Sequence, residues 1–303
     1  MLHLRVIAPP ELTDPVLEMY RHTVGTAHIV VHRGAAVEPA GDVIFADVAR
    51  EAADALVGRL KALGLDKDGA ITLQALDTVL SSSAQHAEDE ADGDGADAVL
   101  WDELVARTRE ESSLTVTFLA FLCIACLLAA VGVVTDSAVT VVGAMVVGPE
   151  FGPLAALAVA VVRRRAALAR RAATALLVGF PLAMIVTGIA TLGFEAIGWV
   201  TMTTTRNLDQ VDFIFQVGPF SFVVALLAGA AGMLSLVSAK SAALVGVFIS
   251  VTTVPAAGFA VVAATVGEWD VAAYSALQLM VNLIGIVAAG VVVLIAHRRW
   301  HRT

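Results

Sequence analysis

Hydrophobic and polar positions follow two regimes along this chain. Up to Ser113 the apolar residues are spaced, and beyond it they run on for about twenty residues at a time. In the first regime LHLRVIAP predicts a strand, ELTDPVLEMYRHT a helix, and AHIVVHRGA and DVIFADVA two further strands. REAADALVGRLKALGL then reads as an amphipathic helix with Ala52, Leu56, Leu60 and Leu63 on one face, and GAITLQAL as a last strand. The order βαββαβ over residues 1–80 predicts a ferredoxin-like α+β domain. Residues 81–97 read as an acidic linker. An amphipathic helix over 98–113 follows, with Leu100, Trp101, Leu104 and Val105 on its apolar side.

In the second regime, residues 114–303, a crossing helix needs about 20 apolar residues. Six runs qualify: Leu114–Val134, Ser137–Val162, Ala172–Phe194, Val217–Ala239, Ser241–Val266 and Val271–Ala296. Alternate connectors differ in charge. One set carries Arg163, Arg164, Arg165, Arg170, Arg171, Lys240, Arg298, Arg299 and Arg302; the other carries acids and a single basic residue, Arg206. The positive-inside rule then puts both termini in the cytoplasm and makes this a multi-pass protein of the plasma membrane. The N-terminal MLHLRVIAPPEL lacks the pattern of a signal peptide, so targeting is expected from the first span.

Composition sharpens this division. The 303 residues are 58% hydrophobic with a mean hydropathy of +0.83. Met1 to Ser113 holds 9 Lys+Arg against 21 Asp+Glu, an acidic balance that argues against nucleic-acid binding. GLDKDGAIT and EDEADGDGAD resemble calcium loops but lack the closing Glu, Ala75 and Trp101 standing there instead. Cys123 and Cys126 lie inside an apolar run and read as small packing residues. No cofactor, metal cluster or catalytic motif is apparent, so the chain is not expected to be an enzyme.

Two spans are interrupted. GAMVVGPEFGPLAAL sets Glu150 between Pro149 and Pro153, and TTVPAAG places Pro255 within the fifth run. Proline removes a backbone donor and clashes with the preceding turn, and freed polar groups survive in hydrocarbon only where protein or a wet cavity satisfies them. Both interrupted spans begin charge-Ser-Ala and reach Val-Gly within a few residues, and three crossings separate them. This predicts a 3+3 inverted repeat with two broken helices, the arrangement that marks a transporter site near the bilayer midplane. An ionised acid at that depth costs about 2.5–3.5 kcal/mol, so Glu150 should face the interior. No Lys or Arg occurs inside the runs. Candidate substrate- or ion-binding residues are therefore Glu150, Gly148, Pro149, Gly152, Thr252, Thr253, Gln278 and Asn282. Asp136 and Ser137 read as a helix cap.

EESSLTVTFLAFLCIACLLAAVGVVTDSAVTVVGAMVVGPEFGPLAAL and SAKSAALVGVFISVTTVPAAG together resemble the bacterial hydrophobic membrane proteins catalogued as domain of unknown function 389. The likeness covers about Glu110 to Ala296, with Ala256 where other members often carry a second proline. It implies the membrane architecture and no particular activity. The expectation is a secondary transporter or permease for an unknown small solute or ion, with a cytoplasmic regulatory domain. The alternative is a non-transporting membrane sensor or scaffold whose cytoplasmic domain binds a ligand or partner. Stretches such as LLAGAAGMLSL, rich in small residues, let helices approach closely and suggest a homo-oligomer.

Overall fold

The computed structural model describes residues 1–93, 95, 98–199, 219–238 and 253–300. Two compact units divide the chain, Met1–Glu103 with Val237–Ala239, and Leu104–Leu236 with Lys240–Thr303.

The first unit runs β1 (Leu2–Ala8), α1 (Pro10–Arg21), β2 (Thr26–Val37), β3 (Ala40–Val48), α2 (Arg50–Ala62) and β4 (Ala70–Ala75). The periodicity predicts this order. The sheet order is β2-β3-β1-β4, with every neighbouring pair antiparallel. Alternation along β1 turns Leu2, Leu4, Val6 and Ala8 to one face, joined there by Ile44, Ala46 and Val48 of β3. Val16 and Tyr20 of α1 and Ala53, Leu56 and Leu60 of α2 complete this core. The buried stripe of α2 is Ala53, Leu56, Val57 and Leu60, so Ala52 and Leu63 stand at its edges and are only half-buried.

Part of the expected linker is helical. α3 (Ser82–Glu90) starts where the Ser81 hydroxyl accepts from the Ala84 N–H, and it buries Ala84 and Ala87. The next helix, α4 (Trp101–Glu111), is shorter than 98–113 and begins where the Trp101 N–H donates to Asp54 at 3.1 Å.

The second unit contains α5 (Val116–Val134), α6 (Ala138–Val147), α7 (Phe151–Arg163), α8 (Ala166–Ala196), α9 (Pro219–Val237), α10 (Val254–Thr265) and α11 (Trp269–Trp300). Among the described residues α5, α8, α9 and α11 are each long and apolar enough to cross a membrane. The pair α6 and α7, bent by 54°, makes a fifth crossing if counted as one span. Of the run Ser241–Val266 only α10 and its cap are described, so the six-span reading is not established. The expected connectors with Asp209 and Lys240 also lie outside the described residues.

α5 packs against α6, α8 and α10. Its contact with α10 depends on Gly258, where a Cβ would lie 2.7 Å from the Ala129 Cβ and 3.1 Å from the Cys126 carbonyl oxygen. Cys126 is buried in the same cluster, and both cysteines are free thiols. Overpacking such a contact costs about 1–3 kcal/mol. Gly258→Val is therefore expected to lower the unfolding midpoint of the full chain in detergent, while Gly143→Val, where a Cβ meets nothing within 4 Å, should leave it near wild type.

A second prediction concerns Asp42. The Gly34 N–H and the Thr13 hydroxyl, each 2.7 Å away, hold its carboxyl below the ordinary carboxylate range, with Arg33 adding to the effect against the cost of desolvation. A lowered folded value means the stabilisation is present above the unfolded value of about 3.9 and lost as pH falls through the folded one. Asp42→Asn should thus reduce hydrogen-exchange protection of β1 and β3 at neutral pH, and the gap to wild type should close below about pH 4.

Candidate functional site

The break between α6 and α7 is three residues long. Gly148 ends α6 in an extended conformation, Pro149 follows, and Glu150 caps α7, its carbonyl accepting the Leu154 N–H at 3.2 Å. Pro153 does not break the helix. It sits in the first turn of α7, where no N–H partner is needed. α10 starts in the same way. Thr253 is its cap, accepting from the Ala257 N–H at 3.1 Å, and Pro255 occupies the first turn.

These two helix starts meet. The Thr253 hydroxyl donates to Glu150 Oε1 at 2.6 Å, and both residues are fully buried, at 0% exposure. Each start presents N–H groups without partners inside its own helix and the positive end of a helix dipole. One carboxylate at two such ends is held by geometry that an unbroken helix does not offer. The depth follows from Gly258, four residues beyond the start of α10 and packed on Cys126 and Ala129 in the middle of α5.

α11 contributes the rest. A Cβ on its Gly290 would lie 3.1 Å from Ala158 of α7, and Leu154 and Ile286, one turn earlier on each helix, share a core cluster. α11 thus packs on α7, and Asn282 lies about two turns before Gly290 on α11. Asn282 is 0% and Gln278 4% exposed. Ser275, 0% exposed and missed from the sequence, continues the same face. Its signal was available: 275, 278 and 282 repeat at helical spacing in an apolar run. Among the described residues Ser275 Oγ and Gln278 Oε1 make no hydrogen bond. Gly152 lies elsewhere, in the first turn of α7, where a Cβ would come within 2.6 Å of the Glu111 Cβ. Thr252 lies outside the described residues.

The first unit holds a second polar cluster that the sequence did not reveal. Nδ1 of His3 and Nδ1 of His28 each donate to Asp47 at 2.7 Å, and His28 Nε2 lies 2.8 Å from Ser81 Oγ. Burial works against the charged Asp47, but the two imidazoles more than offset it and hold its carboxyl below the usual range. His28 has φ +50° within an irregular stretch of β2, which aims its ring at β3. No group of three or more His, Cys, Asp or Glu residues able to hold a metal occurs among the described residues.

A direct test of the Glu150–Thr253 bond is Thr253→Val. Removing a hydroxyl from a buried carboxylate should cost about 1.5–3 kcal/mol of stability in detergent, and Thr253→Ser should recover most of it. Equal stability of all three proteins would show that the bond contributes nothing.

Residues 145–288 match the family described as Domain of unknown function (DUF389). The match is narrower than Glu110 to Ala296 and takes in the break, Thr253, Gln278 and Asn282. No curated protein and no solved structure matches the chain.

Proposed function

We propose that this protein is a secondary transporter in which Glu150 exchanges a proton or a cation. One observation carries the reading: a fully buried carboxylate sits where two helices start inside an apolar bundle. Intramembrane ionisable groups are costly and tend to mark ion or proton pathways. Helices that start inside a bundle, as α7 and α10 do, are the usual frame of such sites. We read α6–α7 and the span ending in α10 as corresponding members of an inverted repeat, six spans in all, with both termini in the cytoplasm of a plasma-membrane homo-oligomer. The soluble βαββαβ unit is then a ferredoxin-like regulatory domain. A sensor or scaffold is the second reading, favoured by the His3–Asp47–His28 cluster, which gathers polar groups from three strands around one carboxylate.

Glu150→Gln keeps size and the ability to accept from Thr253 while removing titration. In vesicles carrying a pH or cation gradient, the wild type is expected to show gradient-dependent uptake or counterflow. The variant should fold and assemble normally yet lose the dependence on the gradient. Unchanged pH and ion dependence in Glu150→Gln would make the carboxylate structural and remove the basis for coupling.

A further inference from the structure

A cavity of about 410 Å³ lies on the other side of the break, where Gly148, Pro149, Phe151 and Gly152 form one wall and the Glu150 side chain takes no part. Its second wall is α5, with Thr117 and Phe121, and its polar end holds Glu110, Glu111 and Ser113 at the foot of that helix. Phe121 is 48% exposed, as is Ile124 beside it, and Val116 is 85% exposed. On a membrane-crossing helix such a face meets acyl chains. The cavity therefore joins the polar foot of a span to its lipid-facing side.

Charge decides what fits. Two carboxylates and the hydroxyls of Ser113, Thr115 and Thr117 supply acceptors. Arg171 of α8 is not itself on the cavity wall but donates to Ser113 Oγ, which is, and so brings a guanidinium with five N–H donors to the edge of the cavity. Arg107 donates to Glu111 Oε1 at 3.1 Å, which anchors one carboxylate and leaves its second oxygen available. Both signs of charge thus stand at the end of an apolar groove whose volume is within the range of small-ligand pockets.

We propose that this cavity binds the headgroup of an aminophospholipid. Its ammonium lies against Glu110 and Glu111, its phosphate takes the free N–H groups of Arg171, and its acyl chains run along Phe121 and Ile124. A primary ammonium brings three N–H donors to these acceptors. A choline head brings none and is recognised by cages of exposed aromatic rings, whereas of the three phenylalanines on this wall Phe118 is buried, Phe151 is half-buried and only Phe121 is exposed. A head with phosphate but no amine would face two carboxylates uncompensated. Gly152 packs directly on Glu111, so a bound headgroup touches the backbone of the same break that carries Glu150.

The experiment is native mass spectrometry of the full chain in mild detergent, with equimolar phosphatidylethanolamine, phosphatidylcholine and phosphatidylglycerol of matched chains. Phosphatidylethanolamine is expected to be retained in excess over the other two. Losing charge-assisted contacts should cut that excess about tenfold in Glu110→Gln/Glu111→Gln. Glu110→Gln alone, which leaves the Arg107–Glu111 pair intact, should give a smaller loss in a protein whose folding is not at issue. Arg171→Gln should lower retention of all three lipids together, since each carries the phosphate. Equal retention of the three lipids, preference for phosphatidylglycerol, or wild-type retention by the double variant would each overturn the proposal. So would displacement by free phosphoethanolamine as effectively as by the lipid, which would mark a site for a soluble solute. None of these readouts requires transport, so the result is independent of the role given to Glu150.

Discussion

A single buried hydrogen bond, from the Thr253 hydroxyl to the Glu150 carboxylate, ties together the two places where the membrane helices start anew. Its existence imposes the rest of the local architecture. A carboxylate can stay at 0% exposure in an apolar bundle only if dipoles and donors replace water. The Thr253 hydroxyl supplies a donor and the starts of α7 and α10 supply the dipoles, each contributing about 0.3–1 kcal/mol to a nearby negative charge and up to about 2 where partly buried. Pro149 and Pro255 help create those starts, and the extended backbone at Gly148 separates α6 from α7, which are bent by 54°.

Close packing then holds the two starts in register. Gly258 lets α10 approach the middle of α5, and Gly290 lets α11 approach α7. On α11 the buried Ser275, Gln278 and Asn282 share one helical face. Gly152 serves another purpose. It brings the end of α4 onto the break and shapes the cavity that opens toward the lipid-facing side of α5. One three-residue interruption thus has two faces, one turned into the bundle with a carboxylate and one turned to a groove of mixed charge.

Much of this was legible in the pattern of residues. Alternation in β1 and the stripe of α2 reported the N-terminal unit because a sheet or helix with one buried face must repeat at its own period. The α6–α7 break was legible because Gly-Pro in the middle of an apolar run interrupts the helical hydrogen-bond ladder, and Glu150 stood out because acids there are expensive. Pro153 misled, since the same residue that breaks a helix interior is tolerated in its first turn. α3 was hidden in an acidic stretch because its stability comes from one serine cap and two alanines rather than from an apolar stripe. The His3–Asp47–His28 cluster was not legible at all: its members come from three strands, and only the strand order brings them together.

The central claim is that Glu150 changes its ionic state as the protein works. Infrared difference spectroscopy of the full chain in lipid, stepped in pH and in cation concentration, reads the carboxyl group directly. The account predicts a protonated-carboxyl band that is absent in Glu150→Gln and that rises or falls with those steps. A Glu150 signal that stays constant across every step would contradict it.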